Sequence, residues 1–156
     1  MNAKCHLWGV VSDSHGDRGA LSNIMLMLEY KGVEGIIHLG DGYLDIEPFE
    51  MAFPRGAYRV KGNCDLYGEE NEQEIMIGGV RIFITHGHRY HVKQNTDYLW
   101  MEAAAREAKA ALFGHTHEQH MEERGGILLM NPGSASEGRY ALLRVYEGGL
   151  VEAELC

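Results

Sequence analysis

The 156-residue sequence has little of what braces small secreted folds: three cysteines and three prolines in the whole chain. Cys5, Cys64 and Cys156 are odd in number, widely spaced and without a Cys-x-x-Cys pair, so reduced thiols are expected and a disulfide framework is not. Long apolar runs are missing as well. The longest, Ile24 to Leu28, has five residues, whereas a membrane span needs about 20. Met1 to Val11 carries one lysine and only a brief apolar stretch before Ser12 and Asp13, which argues against a secretory leader and makes the cytoplasm the expected location. Positive charge is scarce too. Fourteen Lys and Arg against 23 Asp and Glu give a net charge of −9, the wrong sign for binding duplex nucleic acid but suited to a site that holds metal cations.

What is present is ordinary globular composition, 45% hydrophobic and 24% charged, with no low-complexity tract, linker or repeat. A single domain over residues 1–156 is expected. Apolar periodicity predicts a buried strand at Cys5–Val11, then a helix capped by Asp17 with Leu21, Ile24, Met25 and Leu28 on one face. Strands follow at Gly35–Leu39 and Ala57–Val60. Glu74–Ile77 and Val80–Ile84 flank Gly78-Gly79, a pair suited to a tight hairpin turn. Thr96 is placed to cap a helix through about Lys109, after which Ala110–Phe113 reads as a short strand. Two further hairpins turn at Gly125-Gly126 and Gly148-Gly149, completing an α/β fold of two mixed sheets with helices outside.

Five polar clusters each follow a predicted strand: Asp13-Ser14-His15, Gly40-Asp41, Gly62-Asn63, His86-Gly87-His88 and Gly114-His115-Thr116-His117. Ligands of open α/β sheets gather at the carboxyl ends of strands, so clusters about a hundred residues apart can converge. Imidazole, carboxylate and amide donors together suit borderline divalent metals. The i, i+2 spacing of Asp13/His15 and of His115/His117 places both side chains of each pair on one face of an extended segment.

In that order the clusters resemble the signature of the calcineurin-like metallophosphoesterases. The short length, Gly62-Asn63-Cys64-Asp65, His86-Gly87-His88 and Asn131-Pro132-Gly133-Ser134 are similar to the small YfcE-like phosphodiesterase branch. The resemblance implies a four-layer α/β/β/α sandwich and a metal-dependent hydrolase of phosphoesters, with diesters the expected class and a small phosphoester as partner. It implies two divalent transition-metal ions, manganese first, with nickel, iron, cobalt and zinc as alternatives. Asp13, His15 and His117 would hold one ion, Asn63, His86 and His115 the other, and Asp41 both. Two such ions, about 3.5 to 4 Å apart, supply hydroxide at neutral pH and stabilise the charge of the in-line transition state. Asn63 would also donate to the substrate, and His88 and Arg89 would contact the phosphate. Many relatives carry a proton-donating histidine directly after the asparagine. Here that residue is Cys64, a weak donor, which leaves Asp65, His88 or His91 as stand-ins.

His6, His38 and His120 fall on predicted strands and read as packed or surface histidines rather than ligands. A rival function is a non-catalytic scaffold, because the retromer subunit that shares this small fold serves chiefly in protein interaction. Ligand retention separates the two, and all seven ligand-type residues are present. Homo-oligomerisation is left open.

Overall fold

The computed structural model describes residues 4–156; Met1–Ala3, the first part of the stretch that argued against a leader, lie outside the described residues. In chain order the elements are β1 (Cys5–Val11), α1 (Arg18–Tyr30), β2 (Gly35–His38), β3 (Ala57–Arg59), β4 (Glu72–Ile77), β5 (Val80–Thr85), α2 (Asp97–Ala105), β6 (Ala110–Leu112), β7 (His120–Arg124), β8 (Ile127–Asn131), β9 (Ala141–Tyr146) and β10 (Val151–Leu155). They form two five-stranded sheets, ordered β10-β9-β1-β2-β3 and β4-β5-β6-β8-β7. Both are mixed. β1, β2 and β3 run parallel, as do β5, β6 and β8, while the remaining pairings are antiparallel.

Period-two alternation makes the layers. Trp8 and Val10 of β1 face the core between the sheets, where they meet Ile82 and Ile84 of β5, while Leu7 and Val11 face the core beneath α1. On the second sheet Phe83 and Ala111 point outward to Leu99 and Ala103 of α2. The order is therefore α1, sheet, sheet, α2, the expected four-layer α/β/β/α sandwich. Leu21, Ile24, Met25 and Leu28 of α1 are all buried as the periodicity predicts, each worth roughly 1.5–3 kcal/mol relative to exposure.

Helix α2 departs from expectation at both ends. It stops at Ala105 rather than near Lys109, because Glu107 adopts a left-handed φ of 57°. The Glu107 and Ala108 amides then donate to the Ala104 and Ala103 carbonyls, the reciprocal pattern that closes a helix. Thr96 holds the expected N-cap position, but its side chain does not cap the helix. The Thr96 hydroxyl donates to Glu122, and Asn95 Oδ1 accepts from the Asp97 amide at 3.0 Å instead.

Parallel strands leave their carboxyl ends together, and the loops of the two sheets interlock there. The Asp13 amide donates to the Gly40 carbonyl and the Gly114 amide to the His86 carbonyl, each at 2.9 Å. His86 Nδ1 reaches across to the Leu39 carbonyl at 2.8 Å.

Candidate metal centre

Seven non-glycine residues among those described have positive φ: Asp13, His15, Asp41, His91, Glu107, His115 and His117. Five of these seven are residues singled out from the sequence as metal-ligand types. Left-handed backbone at a residue with a Cβ costs about 1–3 kcal/mol and persists only where surrounding structure holds it. Asp13 is held by Ser12 Oγ, which donates to Asp13 Oδ2 at 2.6 Å, and by the His115 amide at 3.1 Å on the same oxygen. Its other oxygen, Oδ1, is buried with no hydrogen-bond partner among the described residues.

The histidines converge on that unpartnered oxygen. His117 Nε2 lies 3.3 Å from Asp13 Oδ1, His15 Nε2 3.6 Å and His86 Nε2 3.9 Å. Asp41 Oδ2 stands 3.3 Å from His86 Nε2 and 3.8 Å from His15 Nε2. Ring nitrogens also face each other at 3.2 Å, His15 with His117 and His86 with His115. One proton at most can lie between such a pair. A cation among these lone pairs would satisfy Asp13 Oδ1, which otherwise bears the roughly 1–3 kcal/mol cost of a buried unpaired acceptor. The donor set of imidazole and carboxylate thus fits a divalent transition metal. His86 Nδ1 donates to the Leu39 carbonyl, which turns Nε2 toward the cluster.

Electrostatics follow from this crowding. Burial pushes the Asp41 carboxyl up, but the hydrogen bond and charge of His86 outweigh it and hold Asp41 well below the usual carboxylate range. Burial pulls His86 down, and the Asp41 hydrogen bond with the Asp13 charge reverses the sign, leaving it raised. His115 and His88 are both lowered, first by burial and then by the His86 charge.

Two glycines let the loops close. Gly40 has φ 105°, and a Cβ there would come within 2.7 Å of the Gly62 amide and of His86 Nδ1. A Cβ on Gly62 would collide with the Asp41 carboxylate.

Other residues singled out from the sequence are placed less uniformly. His88 sits near the cluster, its ring 5.6 Å from His86 and 6.1 Å from His115. Asn63 is exposed, and its amide approaches Cys64 Sγ at 3.8 Å on the Asp41 side of the cluster. The Cys64 amide donates to Asp41 Oδ1 at 2.8 Å, and its sulfur joins His15 and Asp41 in one tight group. Asp65, a proposed stand-in acid, is occupied otherwise: its two oxygens accept the amides of Asp41, Gly42, Tyr43 and Gly62 at 2.8–3.1 Å. It is a latch between the two loops. Arg89 is exposed and lines a separate hollow with Tyr90, His91 and Tyr98, and the His91 ring meets Tyr98 edge-on at 5.7 Å.

Sequence reasoning missed a buried brace. His38, read as a packed or surface histidine, is fully buried, and burial pushes its imidazole down to about 4. Its Nδ1 accepts the Gly40 amide at 3.1 Å, so Nε2 donates to Ser14 Oγ at 3.0 Å. Ser14 donates in turn to Asp45 Oδ2 at 2.7 Å, and that oxygen also takes the Gly16 amide at 2.8 Å. The chain pins the loop on which Asp13 and His15 sit. Ser134 Oγ backs the same loop from the other sheet by donating to the Asp13 carbonyl, and Asn131 Nδ2 braces the His115 loop by donating to the Gly114 carbonyl.

Known proteins match this frame. The profile of the calcineurin-like phosphoesterase superfamily domain covers residues 7–147. A probable metallophosphoesterase of Bacillus subtilis, YsnB, is 34% identical over 131 residues, spanning 80% of this chain and 72% of its own length. Phosphodiesterase YfcE of Escherichia coli is 27% identical over 148 residues, spanning 80% and 77%. Among solved structures, a predicted phosphoesterase of Streptococcus pneumoniae superposes with a TM-score of 0.77 at 28% identity over 98% of this chain and 99% of that one. Zinc-bound Vps29 of Entamoeba histolytica has a TM-score of 0.71 at 19% identity, covering 96% of this chain and 98% of its own, a likeness of fold alone. With a matching profile over most of its length and a relative above 30% identity, the chain belongs to the calcineurin-like phosphoesterase superfamily.

Proposed function

We propose that this protein is a metal-dependent phosphodiesterase with a two-ion centre. Asp13, His15 and His117 would hold one divalent transition-metal ion, Asn63, His86 and His115 the other, and Asp41 both. The observation that carries this reading is the buried Asp13 Oδ1, unpartnered at the focus of three histidines from three separate loops. When bound, such a pair of ions supplies hydroxide at neutral pH and offsets phosphoryl charge in the transition state. Manganese is the first candidate, with nickel, iron, cobalt and zinc as alternatives.

The chain's own groups supply the remainder. Asn63 presents an amide N–H that can donate to a non-bridging phosphoryl oxygen. Burial, and after it the His86 charge, lowers the His88 imidazole, and its ring N–H would donate to the same oxygens. Burial, and after it Asp41, pushes the Cys64 thiol up, and a thiol in this position would be a weak donor to a departing oxygen. Asp65 and Arg89 are left outside the reacting groups, the first spent on four amides and the second turned to another hollow. A scaffold would have no use for five left-handed ligand-type residues, each a cost to folding. The test is turnover of chromogenic phosphodiesters and phosphomonoesters by the metal-reconstituted chain. Diester hydrolysis abolished by chelation and restored by added metal is expected; turnover indifferent to chelation would overturn the reading.

A further inference from the structure

Beside the candidate metal centre lies an open cavity of about 340 Å³ whose walls are of two kinds. Its floor is His15, Asp41 and Cys64, and its outer wall is Leu44, Leu66 and Tyr67. Those three are among the exposed large hydrophobics of the molecule, Leu66 at 89%, Tyr67 at 69% and Leu44 at 42%. Exposed singly such residues need no explanation, but three lining one cavity with His15 and Asp41 offer it apolar surface.

Charge sharpens the contrast. Among the described residues no lysine or arginine lines this cavity. Its acidic members other than the floor are already engaged: Asp65 accepts four amides, and Asp45 accepts Ser14 Oγ and the Gly16 amide. No cationic side chain among the described residues lines the cavity to meet an anionic substituent, whereas an apolar ring would cover surface now open to water.

Resting on the phosphoesterase reading, we propose that the Leu44–Leu66–Tyr67 wall is a subsite for a neutral aromatic or apolar ester group, so that the protein selects phosphoesters bearing such a group. In the reaction water adds its oxygen to phosphorus, the ester P–O bond breaks, and the departing oxygen takes a proton, giving an alcohol or phenol and a phosphate product. The wall holds the organic group while the polar floor holds the phosphoryl group. Leu66 and Tyr67 act here as specificity-determining residues.

The test separates the wall from the metal centre by comparing two non-hydrolysable competitors with one head group. Inhibition by phenylphosphonate and by methylphosphonate is measured on the metal-loaded full chain, wild type and the variants Leu66→Ser and Tyr67→Ala. A ring stacked on such a wall should make phenylphosphonate about fivefold to tenfold the tighter inhibitor. Either variant should bring that ratio close to one while leaving methylphosphonate unchanged. Both positions are exposed, so thermal melts should match wild type. Equal inhibition by the two compounds in a wild-type enzyme that turns over diesters overturns the subsite and leaves the phosphoesterase reading standing. A chain with neither turnover nor phosphonate binding overturns both.

Discussion

The two ends of the sandwich treat histidine and backbone in opposite ways. At the end where β1 begins, His6 lies between Glu34 at 3.0 Å and Glu147 at 2.9 Å, so each ring nitrogen has a carboxylate. The hairpins there turn at glycines, including Gly78-Gly79 with φ 56° and 78° and Gly125-Gly126 with φ 56° and 77°. At the other end aspartates and histidines take the left-handed conformation, ring nitrogens face one another at 3.2 Å, and Asp13 Oδ1 has no hydrogen-bond partner among the described residues. The first end partners its histidine fully and leaves only the neutral Trp8 Nε1 buried without a hydrogen bond among the described residues, whereas the other leaves a carboxylate oxygen unpaired among histidines. The difference identifies where the fold spends stability on function, because a strained and under-bonded cluster survives only if something it binds completes it.

Substitutions at the strained end should change chemistry, and those at the His6 end should change only stability. The largest effect is expected from Asp41→Asn, which would weaken both proposed ion sites and remove charge that offsets them. Turnover should fall on the order of 10² to 10⁴-fold, with metal content below that of wild type by elemental analysis. Next is Cys64→His, a gain. General acid catalysis contributes about 10² to 10⁴, so esters with alkyl leaving groups should accelerate by about 10² while nitrophenyl esters stay nearly constant. The plot of rate against leaving-group acidity should flatten, and a uniform change along the series would instead signal altered metal geometry.

His38→Asn tests the brace. Losing the donor to Ser14 should weaken metal affinity by about 10 to 100-fold, the usual cost of removing a partner that orients ligands, measured by competition with a metal-binding dye. His6→Asn is its counterpart at the opposite end and should leave metal affinity and turnover unchanged. The hydrogen bonds with Glu147 and Glu34 raise the His6 imidazole above its ordinary 6.5. A raised basic group stabilises the fold in full below pH 6.5 and loses that contribution as pH climbs through the raised value. The difference in melting temperature between wild type and His6→Asn should therefore shrink from pH 6 to pH 9. Smallest of all, His120→Ala should be silent in turnover, since His120 pairs with Glu122 at 3.0 Å away from the cluster.

Much of this arrangement was legible because it is local or periodic. β1 spans the expected Cys5–Val11, the α1 face buries the expected Leu21, Ile24, Met25 and Leu28, and Asp17 caps α1 through the Ala20 amide at 3.0 Å. The ligand-type residues were legible because glycines and polar residues end apolar strands in a fixed order. What escaped depends on contacts between distant segments. Nothing near His38 in the sequence shows that it will meet Ser14 and Asp45, and Asp65 looks like a free acid until four amides from two loops close on it. Arg89 follows His88 directly, yet the short turn at His88–Tyr90 sends its neighbour to the cluster and Arg89 to solvent. The end of α2 was missed for a related reason, because Glu107 takes a conformation usually left to glycine.

The central claim is that the strained loops exist to hold two cations. Titration of the metal-free full chain with manganese, following bound metal and diester turnover together, tests it most directly. The account predicts saturation at two ions per chain, with turnover appearing as the second ion binds. A folded chain that binds no tight ion, or one that hydrolyses diesters equally well before any metal is added, would contradict it.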